Sequence, residues 1–194
     1  MSLLAPTPPA QLEPMKDLFA MIEAQMGFVP NSMKIMARRP ELLQAFAGMG
    51  LHVMSGGVLD ASLHPLISWA ASAAYGCRYC EAHTAHSATK AGISEEKLHA
   101  LPSFETSALF SDAERAAMVF AQCMAHSAGM VGPAEKSALQ AHYSEDEIFD
   151  IVAIVSFFGF LNRWNDTLET PIEDVPSQLA ATHLPGWKAG KHQE

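Results

Sequence analysis

Ser144-Glu145-Asp146-Glu147-Ile148-Phe149-Asp150-Ile151-Val152-Ala153-Ile154-Val155-Ser156-Phe157-Phe158 opens on a capping box, Ser144 followed three residues later by Glu147, and continues with apolar residues three and four apart. A serine and a glutamate at that spacing satisfy each other's free backbone N–H groups at a helix start. The stripe Ile148, Ile151, Val152, Val155 and Phe158 then gives the helix a face to bury. The apolar run from Ile151 to Leu161 has eleven residues, short of the roughly 20 that a bilayer requires, and reads as a core helix.

The same grammar extends outward. Ser111-x-x-Glu114 repeats the capping box before another long helix, and Ser94 with Glu95 and Glu96 starts a short one that Pro102 ends. Upstream, a helix over 12–25 is expected to bury Leu18, Phe19, Ile22 and Met26, with Gly27 to Asn31 as its closing turn. A short helix through Met33 and Met36 follows. Pro40 opens a longer helix with Leu42, Leu43, Phe46, Met49 and Val53 on one face, stopped by Gly56 and Gly57, and Asp60 begins the next, which runs to about Tyr75. Period-two alternation is almost absent, so the fold is expected to be all-α, a single-domain helical bundle. Residues 1–11 read as a loose arm, 12–169 as the helical domain, and 170–194 as an extended tail, because Pro171, Pro176 and Pro185 exclude a long helix there.

The 194 residues, 49% hydrophobic and 17% charged, suit one globular domain. Net charge is -9, and the twelve Lys and Arg are scattered apart from Arg38 and Arg39. No basic stripe exists to neutralise phosphates, which argues against a nucleic-acid partner. The first residues lack a basic region followed by a long apolar stretch, so no signal peptide and no membrane association are expected, and the expected location is cytoplasmic. Three cysteines are too few and too clustered for a secreted disulfide framework, whereas Cys-x-x-Cys in a reducing compartment points to redox or metal chemistry.

That chemistry is concentrated in Gly76-Cys77-Arg78-Tyr79-Cys80-Glu81-Ala82-His83-Thr84-Ala85-His86. On a helix, with about 100° and 1.5 Å per residue, Cys77 and Cys80 fall on adjacent turns about 60° apart, close enough for a disulfide if the first turn adjusts. Cys77 near the N-cap places the pair over the positive end of the helix dipole, which is expected to lower thiol pKa. His83, three residues past Cys80, is a candidate general base, and His86 lies a further turn round. Cys123 reads as a separate, inert thiol and Tyr79 as a packing residue.

With these residues in view, the chain resembles the alkyl hydroperoxidase D and carboxymuconolactone decarboxylase family, in its peroxidase-related branch. The resemblance rests on Cys77-Arg78-Tyr79-Cys80 with Ala82-His83-Thr84-Ala85, on Phe28-Val29-Pro30-Asn31 and Pro40-Glu41-Leu42-Leu43 upstream, and on Phe160-Leu161-Asn162-Arg163-Trp164-Asn165-Asp166 downstream. It implies a compact helical fold that assembles as a homo-oligomer, a trimer or hexamer. It also implies a thiol peroxidase in which Cys80 attacks a hydroperoxide and Cys77 resolves the sulfenate, with no organic cofactor and a dithiol reductant or adaptor as electron donor. Two positions depart from the family pattern: Thr84 stands where peroxidases of the family carry a histidine, and Pro65 where they carry a glutamate that starts a proton relay. His64 beside Pro65 is a candidate substitute in that relay, with His86 as another. Decarboxylases of this fold lack the cysteine pair, which argues against lactone decarboxylation.

Two other readings stand beside the peroxidase. Cys77, Cys80, His83 and His86 are all zinc-ligand types, yet a helix rises about 13.5 Å from first to last, too far for one tetrahedral site. No metal is therefore expected on this helix alone. A non-catalytic oligomeric scaffold that uses the cysteine pair as a redox sensor is the other alternative.

Overall fold

The computed structural model describes residues 2–126 and 130–193. Its helices are α1 (Pro9–Leu12), α2 (Lys16–Met26), α3 (Asn31–Met36), α4 (Pro40–Ser55), α5 (Leu63–Tyr75), α6 (Arg78–Lys90), α7 (Glu95–His99), α8 (Asp112–His126), α9 (Pro133–Gln140), α10 (Glu145–Leu168) and α11 (Asp174–His183), and no strand occurs among the described residues. Both capping boxes form. Ser111 N–H donates to Glu114 Oε2 at 2.8 Å and Glu114 N–H to Ser111 Oγ at 3.1 Å; the equivalent bonds between Ser144 and Glu147 are 2.8 and 3.3 Å.

Helix α5 is the centre of the molecule. Every residue from Leu63 to Ser72 is buried, including His64, Ser68 and Ser72, and α6, α8 and α10 all pack on it. A helix apolar on all sides is stable only when enclosed, and its two serines are satisfied within it: Ser68 Oγ donates to His64 O at 2.7 Å and Ser72 Oγ to Ser68 O at 2.8 Å. Truncating Leu66 or Ile67, neither of them exposed at all, removes packing on every side and costs about 2–5 kcal/mol.

Several expected faces are rotated. Leu42 and Met49 of α4 are exposed while Leu43 and Phe46 are buried, and on α10 Val152 is exposed while Ile154 and Phe157 join Ile151, Val155 and Phe158 inside. A single-stripe reading assumes one neighbour. α10 instead lies against α4, α5, α6 and α8, so its buried face is broad and turned toward all of them.

The two chain ends are held more firmly than expected. Ser2 Oγ and Leu3 N–H both donate to Leu168 O, at 3.0 and 2.9 Å, and Arg38 Nη2 donates to Ala5 O at 3.0 Å. The segment read as an extended tail contains the ten-residue α11, packed on α6 and α7. Its prolines bracket the helix: Pro176 lies in the first turn, where a missing N–H costs nothing, and Pro185 follows the C-cap. Asp166 pairs with Lys191 at 3.0 Å, and buried His192 contacts Thr170 O through Nδ1 at 2.9 Å.

Candidate active site

The turn between α5 and α6 positions the cysteine pair. Gly76 takes a left-handed φ of 87°, its N–H donates to Ala73 O at 3.1 Å, and the Cys77 N–H reaches back to Ser72 O at 3.1 Å. This is a Schellman closure of α5, and it leaves Cys77 as the N-cap of α6. A side chain at Gly76 has open space, so the constraint on this position is its backbone conformation. Cys77 Sγ accepts the Cys80 N–H at 3.2 Å, and the two sulfurs lie 2.6 Å apart.

The two thiols differ in what they face. Cys77 is fully buried, whereas Cys80, 2% exposed, lines a cavity of about 460 Å³. The cavity walls are chiefly apolar, with Met33, Phe46, Met54, Phe157, Phe158 and Leu161 among them. Its size is that of a small-molecule site. The expected lowering of thiol pKa fails for Cys80, which is pushed well above the usual thiol range by burial and by its bond to Cys77. The N-capping sulfur that receives the helix N–H is Cys77. Cys80 sits inside the first turn, where desolvation prevails. Asn165 of α10 opposes that rise, with Nδ2 3.7 Å from Cys80 Sγ.

His83, His86 and His64 all line the same cavity. The His83 ring stacks on Tyr79 at 4.1 Å; its Nδ1 is 2.9 Å from Tyr79 O, and its Nε2 is 2.8 Å from Glu173 Oε2. The Tyr79 carbonyl only accepts, so Nδ1 carries a proton there, Nε2 faces the Glu173 carboxylate, and neither of these contacts goes to Cys80. His86 Nε2 contacts Met26 O at 3.2 Å, and burial moves its pKa below the ordinary histidine value. His64 Nδ1 lies 3.1 Å from Met54 O. Thr84 caps back onto Cys80 O and Glu81 O, at 2.9 and 3.0 Å, and Pro65 is part of the cavity wall. Arg78 covers Glu81 with a 2.8 Å ion pair, although burial leaves that carboxyl above its usual range.

Glu173, the N-cap of α11, escapes any reading of the linear sequence. Besides His83, its carboxylate accepts from the Tyr79 hydroxyl at 3.0 Å and from the Asn31 N–H. Burial pushes its pKa up, and the His83 charge and these hydrogen bonds outweigh that, so the net shift is downward. Tyr79 is thus more than packing: its hydroxyl also accepts the Ser32 N–H at 3.3 Å, and burial together with Glu173 raises its pKa well above the ordinary tyrosine value. Nothing in the sequence spacing pairs residue 83 with residue 173. Asn165, by contrast, lies inside the Phe160–Asp166 segment quoted above. Among the described residues, no group of three or more His, Cys, Asp or Glu side chains is placed to hold a metal ion.

Comparison with known proteins agrees with this fold. The profile of the carboxymuconolactone decarboxylase family matches residues 40–122. The solved structure of the debrominase Bmp8 is 31% identical, with a TM-score of 0.85 over 93% of this chain and 97% of that one; a Cys→Ala variant of the same protein is solved in complex with 2,3,4-tribromopyrrole. An uncharacterized peroxidase-related protein from Ralstonia eutropha JMP134, described as an alkylhydroperoxidase AhpD core, shares the fold at TM-score 0.74 and 24% identity, over 88% of each chain. The uncharacterized protein YnjA of Escherichia coli (strain K12) is 25% identical over 117 residues, which are 60% of this chain and 64% of that protein. The helical order, the family profile across α4 to α8 and the match along nearly the whole of a solved relative lead to one assignment: this chain belongs to the carboxymuconolactone decarboxylase family.

Proposed function

We propose that the chain is a dithiol reductase, an oxidoreductase in which Cys80 accepts an electrophilic atom from a substrate in the cavity and Cys77 closes the disulfide. The observation that carries this reading is the pair itself: two sulfurs 2.6 Å apart, of which Cys80 alone lines the cavity. With a hydroperoxide, the Cys80 thiolate attacks the distal oxygen, the O–O bond breaks, and the departing alkoxide takes a proton to become the alcohol. The Cys77 thiolate then attacks the Cys80 sulfenic acid and displaces hydroxide, which is protonated to water. The sum is hydroperoxide plus dithiol giving alcohol, water and disulfide, and an external dithiol returns the pair to its reduced form.

A second electrophile is favoured by the similarity to the debrominase along 97% of that protein. There the thiolate takes the ring halogen, the ring carbanion takes a proton, and Cys77 displaces halide from the sulfenyl halide. The products are dehalogenated ring, halide and the same disulfide. Hydroperoxide reduction remains the primary reading, since the cysteine order and the peroxidase-related resemblance both belong to it. The test treats the reduced chain with one equivalent of an alkyl hydroperoxide and, separately, of 2,3,4-tribromopyrrole. The expected result is stoichiometric loss of both thiols with formation of alcohol or of dibromopyrrole, and the faster electrophile names the substrate class. Retention of both thiols with either compound overturns the reductase reading.

A further inference from the structure

His64 is a second feature of the cavity, and the inference drawn from it rests on the dithiol-reductase reading only for what happens after binding. The residue stands in the first turn of α5, 5% exposed, and lines the cavity wall. Its Nδ1 is 3.1 Å from the carbonyl oxygen of Met54. A carbonyl only accepts, so Nδ1 carries a proton, and in the Nδ1–H tautomer Nε2 presents a bare lone pair. That nitrogen is buried and has no hydrogen-bond partner among the described residues. A buried acceptor left unpaired costs free energy that a hydrogen-bond donor on a bound molecule would recover.

The rest of the wall limits what the donor belongs to. Among the described residues no aspartate or glutamate lines the cavity, whereas Lys90, His83 and His86 do, which disfavours a cationic ammonium or guanidinium there. Phe46, Phe157, Phe158, Met54 and Leu161 suit an apolar body. We infer that His64 Nε2 is the hydrogen-bond acceptor for an uncharged, mainly apolar substrate bearing one N–H or O–H group, and that it selects such molecules over their alkylated or cationic counterparts. An azole N–H, a phenol and a hydroperoxide O–H share this chemistry.

The experiment measures binding to the full chain carrying Cys80→Ser, which removes turnover. Matched probes are 2,3,4-tribromopyrrole against its N-methyl derivative, and 2,4,6-tribromophenol against its methyl ether. The donor-bearing member of each pair is expected to bind about tenfold more tightly or better. His64→Leu is expected to bring the two affinities together, and His64→Gln, whose side-chain oxygen also accepts, to retain part of the preference. Should His64→Leu fail to fold, the Gln variant and the matched probes still decide the question. Equal affinity within both pairs, a preference that survives His64→Leu, or no binding of either donor-bearing probe overturns the inference. Thiol loss with hydroperoxide is read separately, so failure of the reductase reading and failure of this one are distinguishable.

Discussion

Burial and its neighbours set the reactivity of Cys80. The thiol is desolvated and shares a hydrogen bond with Cys77, so its ionisation is opposed, and the Asn165 amide is the group on α10 that favours the thiolate. Asn165→Leu is therefore expected to push the Cys80 thiol further up and to slow its alkylation several-fold near pH 8, with recovery at higher pH. The rate is followed by peptide mass at Cys80, with Cys123 in the same chain as the reference for any general loosening. An unchanged profile for Cys80 means that the amide does not act on the thiol. The expectation that His83 serves as base requires a ring nitrogen facing Cys80, and both nitrogens face Tyr79 O and Glu173 instead. Cys77 and Cys80 were legible from spacing alone because three residues on a helix bring side chains to adjacent turns. The partner of His83 was not, because it comes from a segment 90 residues away, whose contact depends on how α11 docks.

At the scale of elements, α6 is fixed at its start by the Gly76 turn and along its length by α11. Glu173 joins the start of α11 to α3 and α6, accepting from Asn31 at the first position of α3 and from Tyr79, and facing His83 on α6. Removing its carboxylate with Glu173→Ala strands a buried imidazole, a hydroxyl and an N–H, a loss of about 3–5 kcal/mol. Hydrogen exchange in peptides covering 170–193 is expected to accelerate in that variant while peptides from α5 stay protected; uniform acceleration would show that the effect is not local. Acid acts on the same contact. Glu173 has its folded pKa below the unfolded value, so its contribution is present above about pH 4.3 and is lost as pH falls through the folded value. His192, lowered chiefly by burial, acts in the same direction: its contribution is present above about pH 6.5 and declines below it. The fluorescence of Trp187, read as the difference from Trp187→Phe, is expected to shift toward that of an exposed indole on acidification, before the helical signal of the whole chain is lost. The two capping boxes and the glycine stops were readable because each is a local chemical device. The rotated faces of α4 and α10 and the helix in the tail were not, since they depend on which neighbours surround them.

For the whole molecule, the all-helical fold follows from the 3.6-residue periodicity of the chain, and the enclosed α5 explains why one helix is apolar throughout. What the bundle leaves uncovered is also informative. Phe149, Val152 and Phe160 on α10 and Leu42 and Met49 on α4 are exposed large apolar side chains, and these helices touch through Phe46, Phe157 and Phe160. Association of copies would cover such residues, and sedimentation at micromolar concentration is expected to show a closed oligomer, trimer or larger; a monomer would refute this. Among the described residues no helix is long and apolar enough to cross a membrane. The most direct test of the central claim is the mass of the peptide bearing Cys77 and Cys80 after one equivalent of alkyl hydroperoxide, in the wild-type chain and in Cys77→Ser. The account predicts a reversible loss of two hydrogens confined to that peptide in the wild type, and in the variant a single oxygen, held as sulfenic acid on Cys80. A bridge from either cysteine to Cys123, or a Cys77→Ser chain whose Cys80 stays unmodified, would contradict it.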